Sequence, residues 1–249
     1  LEKQKLEANL NMAHQLQNTL MPEKIIDFGN LKIYAQNTMA MQVGGDFYDV
    51  IQVSPNKYVI AIADVCNKGF SAALMMTAAR SLIRAYVNEP IDLSAIARNV
   101  NCQLCKDADR LKGMFVTAML VYVDFDEGVI KSVNAGHPPG FIWSPDGDFK
   151  KMKTGGPFLG QFEEFEYKEE SFPLTPGTRF FLYTDGVFEC VDNNGKMFGI
   201  SGVENFLRIN DENEPEILMT SMLEILKQYT SDPDRLDDPT YLLVHVRNL

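Results

Sequence analysis

The 249 residues are 45% hydrophobic, enough to bury a full core, and carry 34 acidic against 23 basic side chains for a net charge of −11. That balance excludes a broad electrostatic footprint for DNA or RNA. The longest apolar run in a strand-like segment, residues 116–123, falls far short of the roughly 20 residues that a membrane span needs, and no signal peptide opens the chain. Cys66, Cys102, Cys105 and Cys190 form no second CxxC. Cys102 and Cys105 fall in a helix-like run and read as core packing, which fits a reducing cytoplasm.

Residues 1–20 contain no Pro or Gly and place Leu6, Leu10, Ala13 and Leu20 at alternating spacings of three and four, with Gln17 in the remaining slot. The pattern predicts a helix that either lies on its own domain or pairs with a second copy as a dimerising linker. Met21-Pro22 ends it. The expected division is a linker helix over residues 1–21 and one domain over 22–249. Because the chain starts on Leu1 without an initiator Met, further sequence is expected upstream, including a sensor or regulatory domain; a cytoplasmic location is expected for these residues, and any membrane tether would lie in the upstream sequence.

Residues 31–36 read as the first strand. Residues 43–53 (VGGDFYDVIQV) and 58–64 read as a hairpin turning at Ser54-Pro55-Asn56-Lys57. With a four-residue loop Val53 faces Tyr58, and the ladder brings Asp46 opposite Val65 and beside Asp64. Residues 58–63 are a continuous apolar, β-branched run, a strand covered on both faces, and Asp64 sits where it stops. Two carboxylates held that close repel each other, and a divalent cation is the usual resolution. Asn67 and Gly69 tolerate left-handed backbone, and Ser71 is read as the cap of the following helix.

Helices are expected over residues 70–87 and 93–107, separated by Asn88-Glu89-Pro90. Strands follow over 115–125 and 129–135, then a hairpin of 140–143 with 149–152, an ordinary loop at Thr154-Gly155-Gly156-Pro157, and strands over 179–184 and 241–246. This order predicts an α+β fold, an antiparallel β-sandwich flanked by helices, over a doubly wound parallel sheet. If neighbouring strands are antiparallel, the strand ends at Asp64 and Asp185 and the strand starts at Asp46 and Asp237 share one rim. All-oxygen ligation selects Mg²⁺ or Mn²⁺, and the absence of a His-rich or thiolate cluster argues against zinc or copper. His137 is a candidate proton donor or a turn brace; His14 and His245 are read as incidental.

GGDFYD (44–49), ADVCNKGFSAAL (63–74), NAGHPP (134–139), GGPFLG (155–160), YTDGVFE (183–189) and DDPTYLLV (237–244) together resemble the ordered motif set of PPM-type metal-dependent serine/threonine phosphatases, in their bacterial SpoIIE/RsbU-like branch. The resemblance spans residues 21–246. It implies a β-sandwich with metals at one end, a bridging metal ligand in Asp64 with the carbonyl of Val65 beside it, and further metal or metal-water roles for Asp46, Asp185 and Asp237, with Asp238 set aside. Cys66 and Asn67 stand where Ser and Gly are common, and Phe188 where Thr is, but no carboxylate is missing. The implied chemistry is direct hydrolysis of phosphoserine or phosphothreonine by water activated between two divalent cations about 3.5–4 Å apart. The implied substrate is a protein, most commonly a STAS-domain anti-anti-sigma factor.

Three other readings carry less. GGDF also opens a diguanylate cyclase signature, but Tyr48 follows it and no nucleotide-binding segment surrounds it. Asp124-Phe125-Asp126 is similar to the opening of haloacid-dehalogenase phosphatases, yet Gly128 stands where Thr or Val would follow, so a strand end and turn is expected there. A signalling module that keeps the fold and acts by binding a partner is opposed by the intact Asp46, Asp64, Asp185 and Asp237.

Overall fold

A computed structural model describes residues 2–38, 43–106, 113–230 and 239–247. In chain order it begins with α1 (Glu2–Leu20), β1 (Ile25–Asp27), β2 (Leu31–Asn37), β3 (Phe47–Ser54) and β4 (Lys57–Val65). Next come α2 (Phe70–Tyr86), α3 (Leu93–Lys106), β5 (Val116–Asp124), β6 (Val129–Ala135), β7 (Gly140–Trp143), β8 (Phe149–Met152) and β9 (Gly155–Gly156). The chain closes with β10 (Glu170–Pro173), β11 (Arg179–Tyr183), α4 (Asp185–Phe188), α5 (Gly199–Ile209), α6 (Pro215–Thr230) and β12 (Thr240–Val246). The mixed α+β architecture, antiparallel sheets flanked by helices, is the one that the hairpin-rich order of elements predicts. Among the described residues no helix is long and apolar enough to cross a membrane.

The chain divides into two units, the first formed by Leu1–Pro22, Met41–His137 and Thr154–Pro173, the second by Glu23–Ala40, Pro138–Lys153 and Leu174–Leu249. In the first, a sheet of order β10-β6-β5-β4-β3 is antiparallel throughout, with β9 added in parallel to β6. Every residue of 58–63 is fully buried, as a run apolar on both faces requires. Val59, Ala61 and Ala63 pack with Ala72, Met76 and Ala79 of α2 and with Ile96 and Val100 of α3, so these two helices cover one face. In the second unit a sheet of order β1-β2-β12-β11-β7-β8 is antiparallel, and α5 and α6 set Val203, Phe206, Leu218 and Met222 against Phe141, Phe181, Tyr241 and Leu243.

The expected loop at Thr154-Gly155-Gly156-Pro157 contains a short strand. Gly155 pairs with Asn134 and Gly156 with Ala135, and a Cβ on Gly155 would lie 1.8 Å from the Asn134 carbonyl oxygen, so only glycine permits the approach. The helical seam of α1 is also used differently from the coiled-coil pattern. Gln17 is buried within its own unit and Leu10 and Ala13 are half-buried, while Leu20 of the seam is 37% exposed and Met12 and Leu16, outside the seam, are 62% and 64% exposed. The side chain of Leu6 lies outside the described residues.

Candidate metal centre

The hairpin of β3 and β4 turns more tightly than its sequence suggests. Ser54 pairs with Lys57 and Gln52 with Tyr58, leaving Val53 as a bulge, so the register is shifted by one from the expected pairing of Val53 with Tyr58. The ladder then runs to Phe47 opposite Ala63, and one further step places Asp46 across from Asp64 itself, with Gly45 against Val65. A carboxylate oxygen of Asp46 lies within 4.8 Å of one from Asp64. Two full charges at that separation repel by on the order of 3 kcal/mol at an effective dielectric of about 20. Asp46 is only 6% exposed, which limits relief by water.

Asp64 is the first residue of β4 past its fully buried stretch, and the strand continues one residue beyond it, to Val65. The chain then turns through Asn67 at φ 75° and Gly69 at φ 80°, as their tolerance of left-handed backbone predicts. Cys66 fastens this turn: its amide donates to the Phe115 carbonyl at 3.0 Å, and its sulfur accepts the Phe115 amide at 3.0 Å. Burial pushes the Cys66 thiol up from its ordinary pKa, so it stays a neutral acceptor. The cap of α2 is Gly69, and its side chain makes no cap bond because it has none; Ser71, expected there, lies inside the first turn.

Gly45 and Gln17 are two determinants that motif reading passed over. A Cβ on Gly45 would meet the Val65 carbonyl oxygen at 2.8 Å and the Ala72 Cβ at 3.3 Å, so a side chain here pushes apart the two strands that carry the acids. Gln17 donates to the Gly44 carbonyl at 2.7 Å and accepts the Gly44 amide at 3.2 Å, fixing the loop before Asp46 to α1. Tyr48 adds a second tie, its hydroxyl donating to the Pro22 carbonyl at 2.7 Å; burial pushes that phenol up to about 12, which keeps the proton in place. The signal for Gln17 was its being the polar member of an apolar seam.

His137 sits one strand away from Asp64, whose ladder partner Thr117 places its hydroxyl 2.9 Å from His137 Nδ1. The Asn134 side chain closes the same turn by donating to the His137 carbonyl at 2.8 Å and accepting the His137 amide at 2.7 Å. The two Asn134 bonds brace this turn through the His137 backbone. Asp124, the strand end of the DFD segment, accepts the amides of Asp126 and Glu127 at 2.9 and 3.0 Å and the Tyr122 hydroxyl at 2.7 Å, which identifies it as a turn residue too.

In the second unit β11 ends at Tyr183, Thr184 pairs its amide with the Thr240 carbonyl at 2.9 Å, and Asp185 opens α4. Because β11 and β12 are antiparallel, with Tyr183 opposite Tyr241, the strand end at Asp185 and the start of β12 share one edge. Asp237 and Asp238 lie outside the described residues. The two carboxylates that meet in the first unit are hard oxygen donors and suit Mg²⁺ or Mn²⁺. Gly45→Ala is expected to weaken Mn²⁺ binding about tenfold, equivalent to about 1.4 kcal/mol and within the range of overpacking costs, as read by calorimetry. Unchanged affinity would show that the loop yields without moving the acids.

Residues 54–247 match the family model described as Stage II sporulation protein E (SpoIIE). The phosphoserine phosphatase RsbU of Bacillus subtilis (strain 168) is 31% identical over 193 residues, which cover 77% of this chain and 57% of RsbU. The SiaA-PP2C domain of Pseudomonas aeruginosa superposes with a TM-score of 0.85 at 22% identity over 98% of both chains, and RsbX, solved in complex with magnesium, with a TM-score of 0.67 at 18% identity over 88% of this chain and 97% of that one. The structural matches show a shared fold. The chain spans 41% to 58% of the length of three curated relatives that it matches.

Proposed function

This chain belongs to the SpoIIE family, and from that premise we propose that it is a metal-dependent phosphatase domain hydrolysing phosphoserine or phosphothreonine on a partner protein. The observation that carries the reading is the placement of buried Asp46 beside Asp64 at one strand rim. The activity in RsbU's name and the magnesium in the RsbX complex support it.

In this reading Asp46, Asp64 and the Val65 carbonyl, joined by Asp185 and Asp237 of the second unit, hold two divalent cations, Mn²⁺ or Mg²⁺. Bound cations would neutralise the phosphoryl oxygens and lower the pKa of an attacking water. The chain's own part is rigid placement: the hairpin ladder fixes the spacing of the two acids, Gly45 admits the close approach, and the turn through Asn67 and Gly69 lets α2 leave without covering Asp64. The proposed substrate is a phosphorylated regulator, of which a STAS-domain protein is the leading candidate. Phosphate release from a phosphoserine peptide in the presence of Mn²⁺, absent in excess EDTA, is the expected result; release that ignores EDTA would remove the metal from the account.

The contact of Gln17 with Gly44 gives α1 a route to this site, since any shift of the helix moves the loop that carries Asp46. Gln17→Ala leaves the buried Gly44 amide and carbonyl without their partner, a cost of roughly 1–3 kcal/mol, so Mn²⁺ affinity is expected to fall about tenfold. Removal of residues 1–21 should reproduce the effect. A metal affinity and turnover unaltered by both changes would rule out control through α1.

A further inference from the structure

Phe115 stands one residue before β5, beside the turn that follows Asp64, for Asp64 pairs with Thr117, Val65 with Val116, and the Cys66 amide with the Phe115 carbonyl. Val116 and Leu159 exchange both backbone hydrogen bonds, at 3.0 and 2.8 Å, which brings the next loop alongside. The rings of Phe115 and Phe158 lie 4.2 Å apart and those of Phe158 and Phe162 6.1 Å apart, a continuous aromatic row that starts at the acidic rim of the first unit.

The row is exposed in a way that packing does not require. Phe115 and Phe158 are half-buried and Phe162 is 51% exposed. Asn101, with no exposure of its own, donates to the Phe162 carbonyl at 2.7 Å and accepts the Gly160 amide at 2.8 Å, so the backbone under the ring is clamped. Contiguous, preorganised aromatic surface of this kind marks an interaction site. It runs directly into the exposed Glu163, Glu164 and Glu166. Arg98 pairs with Glu166 at 3.1 Å, whereas among the described residues neither Glu163 nor Glu164 has an ion-pair partner.

We propose that this aromatic row and the acidic loop at its end dock the segment of the partner protein that carries the phosphorylated residue, and that they select segments in which apolar residues and lysine or arginine flank that residue. The proposal rests on the phosphatase reading and gives it a substrate class. The phosphate is left to the acidic rim and its cations, while the rings take an apolar side chain and Glu163 and Glu164 take basic ones, a charge pattern complementary to that of the loop.

The test is fluorescence anisotropy with a labelled phosphoserine peptide bearing leucine and lysine on both sides, against a matched peptide with glutamate in place of lysine. The intact chain should bind the basic peptide about tenfold more tightly. Phe162→Ala should weaken both peptides about tenfold, and the pair Glu163→Gln with Glu164→Gln should shrink the preference about fivefold. Ile209→Ala, which removes an apolar side chain 81% exposed in the second unit, should change nothing. Equal affinity for the two peptides, or variants that bind as the intact chain does, would overturn the proposal; the glutamine variants keep it testable should Phe162→Ala misfold. Hydrolysis of p-nitrophenyl phosphate by the same preparation tests the phosphatase reading separately, since peptide discrimination without hydrolysis would remove that reading and leave the docking surface.

Discussion

Asp64→Asn is expected to lower Mn²⁺-dependent phosphate release by about a thousandfold, on the scale seen when a group aimed at transition-state charge is lost. The same substitution should leave the metal-free protein at least as stable, because it removes one of two charges whose oxygens lie within 4.8 Å of each other. Thermal unfolding supplies the second reading: Mn²⁺ should raise the melting temperature of the intact chain and have a much smaller effect on the variant, since a ligand stabilises only the state that binds it. An Asp64→Asn protein that unfolds early without metal would mean that Asp64 holds the fold together, and its lost activity would then say nothing about the metal.

The second acid of the GGDFYD motif has a different job, and Arg84→Ala should expose it as a loss of roughly 2–3 kcal/mol in stability. Side chains alternate along β3, so Asp49 faces the side opposite to Asp46 and points at α2. Its side chain is 1% exposed, and Arg84 grips both oxygens, Nε to Oδ2 at 2.6 Å and Nη2 to Oδ1 at 2.7 Å, with Arg80 Nε 3.2 Å from Oδ2. These bonds hold the Arg84 pKa above its ordinary value, while burial lowers that of Arg80. Removing Arg84 strands part of a buried charge; the expected cost lies below that of a fully buried pair because the Arg84 side chain is 43% exposed and Arg80 remains. Urea unfolding should show a lower midpoint with the same slope, and Arg84→Lys, which keeps the charge without the planar fork, should recover only part of the loss. An unchanged midpoint would show that water or Arg80 alone suffices.

Much of this was legible because the pattern and the physics coincide. The apolar run at 58–63 has one reading as a strand, and an acid directly after it has few structural uses. Positive φ at Asn67 and Gly69 followed from residue type. The hairpin register was off by one because a bulge at Val53 leaves no mark in a strand-like sequence, and the error hid how closely Asp46 faces Asp64. Composition favours Ser71 as the cap, yet the turn places Gly69 there. Helices α5 and α6 carry no chemical motif, and their one local mark is Pro215, which opens α6 at the position where a missing amide costs nothing. Gln17 was visible as a polar residue in an apolar seam, but its partner Gly44 lies across a chain reversal that periodicity does not encode.

The most direct test of the central claim is the Mn²⁺ dependence of phosphate release from a phosphoserine peptide, measured for the intact chain and for Asp46→Asn. The account predicts saturable release that EDTA abolishes, with the variant needing at least about tenfold more Mn²⁺ to reach half of its maximum. Release with the same Mn²⁺ midpoint in both proteins would contradict the assignment of Asp46 to the metal, and absence of both release and calorimetric Mn²⁺ binding in the intact chain would replace the enzyme with a partner-binding module of the same fold.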